Sequence, residues 1–408
     1  MPVRGDLGDK GNKIGERMSV RISPLFVIAV ATVVVTASVG VYFLMSDNER
    51  YDITIAWADK DCYEPFWIAD KMGFWNDEGV KVKGVRVANG SEVASAILSG
   101  TADCGGMGAD PLLRMLRDDD NASIICRYQA GSSYSEFVAR DGANGGKISR
   151  SVYQSFFDDD GKPIDGKKAD IGGIEMGLKE YLKYALTGAD VGMHMGTAYW
   201  SWFLGFLENI DLSPQDLGYI NDIAFGIQLN ALDRGDVDLI SGGSPNTETA
   251  LGMGDDFFII HDPDPKMTTI LLMASGKAQS EKGDALTKVL KGLQRACDHI
   301  YNNPDDASQM IKDVYGRTWS IDDQKAAFDK SLWGIDIVDA DVNPNADVGA
   351  IVKAAELINA AGRETKGDLP VGDNIRNRIN YEFMREAGLP TAEFVLKEKD
   401  ERWGIIPP

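Results

Sequence analysis

The chain has only three histidines, His194, His261 and His299, spread over 408 residues. With the serines and acids near them in sequence they assemble no Ser–His–acid relay and no metal-ligand spacing. No glycine-rich phosphate loop follows a strand in the context a nucleotide site needs. Catalysis, a cofactor and a bound metal are therefore not expected. What the residues do offer is capture. Side chains suited to holding a small molecule fall just after strand-like segments. Trp57, Asp59, Tyr63 and Glu64 follow the first, Ser91 the second, Met107 and Asp110 the third, and Ser132 the fourth. Gly196, Thr197 and Tyr199 come next, then Ser244 and Asn246. Two schemes of capture compete. Helix starts at Ser91 and at Gly196-Thr197 could hold an anion on free N–H groups and the positive end of the helix dipole. Alternatively, Trp57, Tyr63, Phe66, Trp67, Tyr199 and Trp200 could stack on a flat ring or a cation, with Asp59, Glu64 or Asp110 pairing to an amine. Three loop carboxylates and no obvious arginine tilt the balance toward a ring or amine.

Such loops need a scaffold. Tyr51 to Ala58 is apolar, β-branched and aromatic, which predicts a strand. Pro65 suits the first turn of a helix, and Ile68, Met72 and Trp75 give that helix one apolar face. Val80 to Val87 alternates like a half-buried strand, Ser91 can cap a helix over 92–99, and Asp110-Pro111 opens another as N-cap and N1. A segment of the pattern A-[IL]-x-x-G-x-[AV]-D occurs twice, at 96–103 and at 231–238. Each copy reads as a helix running out at glycine before a short strand, so two similarly built lobes are expected. Residues 141–187 read as an elaboration of the second lobe. After Thr268 helices are predicted at 284–302, 304–315, 320–331, 346–361 and 375–388. The expectation is a two-lobed α/β fold with a hinge, mixed and mostly parallel sheets, and extra C-terminal helices.

A net charge of −21 without a basic stripe argues against nucleic acid as a partner. Ile22 to Ser46 carries no charged side chain and is long enough to cross a bilayer as a helix. Basic residues precede it and acidic ones follow, which places the N-terminus inside and the remainder outside the cell. The expected order is a cytoplasmic segment at 1–21, a transmembrane signal anchor at 22–45, the first part of lobe 1 at 46–138, lobe 2 at 139–250, and a return to lobe 1 with the C-terminal helices at 251–408. Cys62, Cys104, Cys126 and Cys297 could form one or two disulfides outside the cytoplasm or stay as buried thiols.

The stretch EPFWIADKMGFWNDEGVKVKGVRVANGSEVASAILSGTADCGGMGADPLL, the aromatic helix of MGTAYWSWFLGFLENIDLSPQDLGYI and the block QRACDHIYNNPDDASQMI resemble, in order and spacing, the substrate-binding proteins of ABC importers of the nitrate, sulfonate, taurine and thiamine-precursor type. The likeness covers most of 51–330. It implies a type 2 periplasmic-binding-protein-like fold, hinge closure on a small polar solute (a pyrimidine or other amine, or nitrate or a sulfonate), delivery to permease and ATPase subunits, and attachment to the cell membrane by the N-terminal helix. An enzyme of pyrimidine-precursor type on the same fold and a membrane-tethered ligand sensor are the alternatives. The insertion at 141–187 and the acidic tail after 340 depart from the family pattern.

Overall fold

The protein is described here from a computed structural model covering residues 50–131, 136–159, 161–243, 246–264, 268–316, 320–329, 331–336 and 347–389. The expected membrane helix at 22–45 lies outside these residues, as do Ser132 and Ser244. Among the described residues no helix is long and apolar enough to cross a membrane.

Among the described residues thirteen strands form the frame: β1 (Ile53–Ala58), β2 (Val82–Val87), β3 (Cys104–Gly108), β4 (Ser123–Gly131), β5 (Glu136–Arg140), β6 (Ala169–Ile171), β7 (Ile174–Met176), β8 (Val191–Met193), β9 (Ile220–Asp222), β10 (Leu239–Ser241), β11 (Phe257–His261), β12 (Thr268–Ala274) and β13 (Ser331–Asp336). One sheet has the order β13-β4-β12-β3-β1-β2 and a second the order β11-β5-β10-β8-β9, with β6 and β7 as a separate hairpin. In the first, β1 pairs in parallel with β2 and β3, while β12 and β13 run against their neighbours. In the second, β8, β9 and β10 are parallel and β5 opposes both β10 and β11. Both sheets are therefore mixed, with most strands running one way. The chain leaves the first sheet after β4 and returns through β12, so two crossings join the lobes. From Tyr51 onward it is one compact unit, and a continuous apolar core runs under both sheets.

The repeated segment does the same work twice. In the first lobe Asp103 accepts from the backbone N–H of Thr54 at 2.7 Å, and its own N–H donates to the Thr54 carbonyl at 2.8 Å. In the second, Asp238 accepts from Asp190 N–H at 2.9 Å and its N–H returns to the Asp190 carbonyl at 2.7 Å. Each aspartate thereby latches a short strand to the start of its parallel neighbour, β3 to β1 and β10 to β8.

The 141–187 segment packs on the second lobe. Phe156 stacks on Tyr181 with ring centroids 5.6 Å apart, and the Tyr153 hydroxyl accepts from His261 N–H on β11 at 2.9 Å. The four cysteines are free thiols, with Cys104, Cys126 and Cys297 buried, so the disulfide alternative is corrected.

The C-terminal part differs from expectation in two places. Residues 331–336 form β13 on the edge of the first sheet. The helix expected at 375–388 is two short ones, Asp373–Arg376 and Glu382–Glu386. Between them, Asn380 N–H donates to the Ile124 carbonyl at 2.9 Å and Ile124 N–H to the Arg378 carbonyl at 2.8 Å. Pairing with β4 competes with helix continuation and wins. The helix Asp347–Ala361 lies against both Ala198–Asn209 of the second lobe and Ala109–Asp118 of the first.

Candidate functional site

A small pocket of about 60 Å³ lies where the lobes meet. Its first-lobe wall is Lys60, Cys62, Tyr63, Asn89, Gly90, Gly108 and Pro111. Its second-lobe wall is Thr197, Ala198, Tyr199 and Trp202, with Ile270 of the return strand below.

Three helices begin at this pocket. Asn89 caps Gly90–Leu98, its side chain accepting from Glu92 N–H at 3.1 Å. The Glu92 carboxylate accepts in return from Ala88 N–H at 2.9 Å, a reciprocal cap at the start of that helix. Gly108 precedes Ala109–Asp118, and Thr197 precedes Ala198–Asn209. First-turn N–H groups have no partner inside their own helix, and the start of a helix carries partial positive charge. All three starts therefore turn the same sign toward one small space.

Lys60 adds a full charge. Its ammonium lies 4.4 Å from the Phe225 ring centroid and 5.5 Å from that of Tyr199, two rings that stack on each other at 5.2 Å. Among the described residues no carboxylate pairs with it. Burial holds its pKa below the ordinary lysine value, the response of a cation short of counter-charge. Beside it, burial pushes the Cys62 thiol up to about 12, so this group stays neutral.

The lobes touch around the pocket. The Ser91 hydroxyl donates to the Gly196 carbonyl across the gap, and the Arg114 guanidinium fills the place a side chain at Gly196 would need. A Cβ on Gly108 would stand 2.6 Å from the Ala198 Cβ, far inside contact distance. Gly108→Val should therefore wedge the lobes open at no cost in backbone strain, since φ there is −79°. The expected outcome is a larger radius of gyration by small-angle X-ray scattering and at least about tenfold weaker ligand binding, with helix content unchanged.

The site residues nominated from sequence divide clearly. Tyr63, Thr197 and Tyr199 line the pocket, and Ser91 and Gly196 close the gap above it. The Tyr63 hydroxyl is spent on the Gly106 carbonyl at 2.9 Å and that of Thr197 on the His194 carbonyl at 2.7 Å, so these two offer shape and backbone. Trp57 points the other way, into the core among Phe66, Trp67 and Trp75, and its ring occupies the space beside Gly84. Met107 is wholly buried. Asn246 is buried and donates to the Phe225 carbonyl at 3.1 Å, supporting the ring beneath Lys60.

Each of the three carboxylates that favoured an amine is engaged elsewhere. Asp59 pairs with Arg86 at 2.5 Å on the surface. Glu64 is buried and accepts from Gln324 at 3.0 Å, and burial holds its pKa well up. Asp110 is fully buried, 3.3 Å from Arg114, and neither oxygen has a hydrogen-bond partner. It sits inside its helix, after Ala109, where an N-cap was expected. Burial chiefly, opposed by Arg114, raises its pKa to about 7. Sequence reasoning missed Lys60, although it stands between two nominated residues, and Arg114, one turn beyond Asp110.

The C-terminal segment ties the same region together. Glu364 bonds Arg114 at 2.6 Å and Arg117 at 2.9 Å on the first lobe, while Lys353 bonds Glu208 at 2.7 Å on the second. Among the described residues no group of histidine, cysteine and acidic side chains could hold a metal ion.

No protein-family model and no curated sequence matches the chain. Solved structures do. The alkanesulfonate-binding protein SsuA of Xanthomonas axonopodis pv. citri, bound to MOPS, superposes with a TM-score of 0.60 at 13% identity, over 82% of this chain and 100% of that one. The periplasmic nitrate-binding protein NrtA of Synechocystis PCC 6803 gives 0.53 at 14%, over 82% and 88%. The ligand-binding component of an ABC-type import system from Staphylococcus aureus, with zinc bound, gives 0.54 at 10%, over 82% and 98%. This chain thus has the two-lobed α/β fold of the periplasmic binding proteins, sulfonate- and nitrate-binding members among them.

Proposed function

We propose that this chain is the extracytoplasmic solute-binding component of an ABC importer and that its ligand is a small anion, such as nitrate or a short alkanesulfonate. The single observation that carries this reading is Lys60, an ammonium with no carboxylate partner among the described residues, set in a pocket on which three helix starts converge. An anion there meets one full and three partial positive charges. An amine would meet the same charges, and none of the residues that line the pocket is a carboxylate.

Size points the same way. A buried water needs at least ~10–15 Å³ by this measure, and a cavity of ~150 Å³ takes a benzene ring. The 60 Å³ pocket suits about four to six non-hydrogen atoms, which favours a compact ion over a substituted pyrimidine. Binding would draw the lobes together, and delivery to permease and ATPase subunits would follow from the ABC import systems in which this fold serves. The charge-free stretch 22–45, with basic residues before it and acidic ones after, supports a single-pass anchor with the remainder of the chain outside the cell.

A thermal-shift panel on the full chain in detergent tests the reading. Nitrate and methanesulfonate should raise the melting temperature, and pyrimidines and alkylamines should fail to displace them. A pyrimidine that binds in their place, or turnover of any panel member, would refute it.

A further inference from the structure

Lys60 belongs to the first lobe, but its ammonium comes to rest on the second. Its backbone carbonyl is held by Tyr63 N–H at 2.9 Å and by the Tyr315 hydroxyl at 2.7 Å. Its Nζ lies 4.4 Å from the Phe225 ring centroid and 5.5 Å from that of Tyr199. Phe225 opens the second-lobe helix Phe225–Arg234, and Tyr199 stands in the first turn of Ala198–Asn209. The two rings are 15° from parallel and both are buried. Tyr199 lines the anion pocket beside Lys60, and Phe225 stands outside that lining.

The ring pair is mounted on the second sheet without help from Lys60. Ser241, the last residue of β10, donates to Gln228 Oε1 at 2.6 Å, and Gln228 Nε2 donates to the Ile223 carbonyl at 3.0 Å. Asn246 Nδ2 donates to the Phe225 carbonyl at 3.1 Å. Ser241, Gln228 and Asn246 are all buried. A Cβ on Gly243 would stand 2.6 Å from the Tyr199 hydroxyl, so the backbone after β10 closes directly on that ring. The rings therefore move with the second lobe and Lys60 with the first.

A cation over a ring face is attracted by the ring's quadrupole, more strongly once water is excluded. Parting the lobes would return the ammonium to water and end that attraction. We infer that Phe225 is the positioning residue for Lys60: with Tyr199 beside it, its ring face seats the ammonium from the second lobe, leaves the pocket side of that charge to the ligand, and so couples anion capture to lobe closure. The inference rests on the anion reading of the pocket, and Phe225 acts through Lys60 without touching the ligand.

The test uses the full chain in detergent. Spin labels attached by ketone chemistry at one exposed site on each lobe spare the four native thiols and report the lobe-to-lobe distance by pulsed electron paramagnetic resonance. Titration calorimetry reports nitrate affinity. Phe225→Leu should shift the ligand-free distance to longer values and weaken nitrate about tenfold, which is about 1.4 kcal/mol. A trifluorinated phenylalanine in place of Phe225 should do the same, because fluorine drains the negative ring face and adds little volume. An electron-poor ring stacks at least as well on Tyr199, so a ring that served packing alone would lose nothing. In a Lys60→Gln background the fluorinated ring should not change the distance further. Distances unchanged by both replacements, or a fluorine effect that persists in Lys60→Gln, would overturn the inference. Should Phe225→Leu fail to fold, the fluorinated ring with and without Lys60→Gln decides it. If the parent binds neither nitrate nor methanesulfonate, the anion reading of the pocket fails, and the ligand-free distances still decide whether Phe225 holds the lobes together through Lys60.

Discussion

Lys60→Gln should abolish anion capture while leaving the fold intact, raising the Kd for nitrate or methanesulfonate by at least about 100-fold. The size follows from what is removed. A hydrogen bond to a charged group contributes about 1.5–3 kcal/mol, and truncating one partner of a desolvated charge pair costs about 2–5 kcal/mol. At 1.4 kcal/mol per factor of ten, even about 3 kcal/mol gives the 100-fold loss. The fold should tolerate the change because what Lys60 gives to the core is its backbone. Its carbonyl accepts from Tyr63 N–H at 2.9 Å and from the Tyr315 hydroxyl at 2.7 Å, and both bonds survive the substitution. Melting temperature without ligand should therefore stay within a few degrees of the parent. A pH series adds a second check. The free protein holds Lys60 below the ordinary lysine value, and a bound anion favours the protonated form. Affinity should be full below the free-state pKa and decline as pH rises through it, on the near side of the 10.5 expected of an unperturbed lysine.

Asp110→Asn should remove a pH-dependent loss of stability. In the folded chain burial pushes this carboxyl up to about 7, from an ordinary value of 3.8. Its raised pKa means that the folded state holds the proton more tightly than the unfolded chain does. Between pH ~4 and ~7 the native state binds more protons, so stability falls as pH rises through that window and levels off above it. The rise from 3.8 to about 7 corresponds to at most about 4 kcal/mol at 1.36 kcal/mol per pH unit. Asparagine is nearly isosteric and uncharged, and Arg114 keeps Glu364 at 2.6 Å as its partner. The variant should match the parent at pH 5 and exceed it by about 2–4 kcal/mol at pH 8 in urea unfolding. An equal pH profile for the two proteins would contradict this, because it would mean that Arg114 offsets burial and that the carboxyl titrates alike in the folded and unfolded chain.

The frame of this protein was readable because its determinants are local. The apolar run of β1, the alternation of β2 and glycine at helix ends are set by near neighbours in the chain, and the repeat marked Asp103 and Asp238 although their latch partners lie 49 and 48 residues away. Helix starts at Ser91 and Thr197 were found for the same reason, although Asn89 proved to be the cap and Ser91 the bridge to Gly196. Which charges are left to face a ligand is not legible locally, because it depends on distant partners. Asp59 looked available until Arg86 came alongside from the next strand, and Glu64 until Gln324 arrived from the C-terminal part of the chain. Lys60 was passed over beside Asp59, yet folding pairs Asp59 with Arg86 and leaves Lys60 lining the pocket. Trp57 illustrates the converse error. A residue at the end of a strand can face the ligand or the core, and only the ring-sized gap at Gly84 shows which. Likewise β13 and the break between Arg376 and Glu382 exist because β4 has edge and backbone groups to offer, which no local pattern records.

Co-crystallising the protein with bromomethanesulfonate and locating bromine by its anomalous scattering tests the central claim most directly. The account predicts one strong peak between the lobes, with the sulfonate oxygens within hydrogen-bond distance of the Lys60 ammonium and of the backbone N–H groups at Gly90 and Ala198. Clear density for the bound ion anywhere else, with the Lys60 pocket empty or filled by an amine, would contradict it.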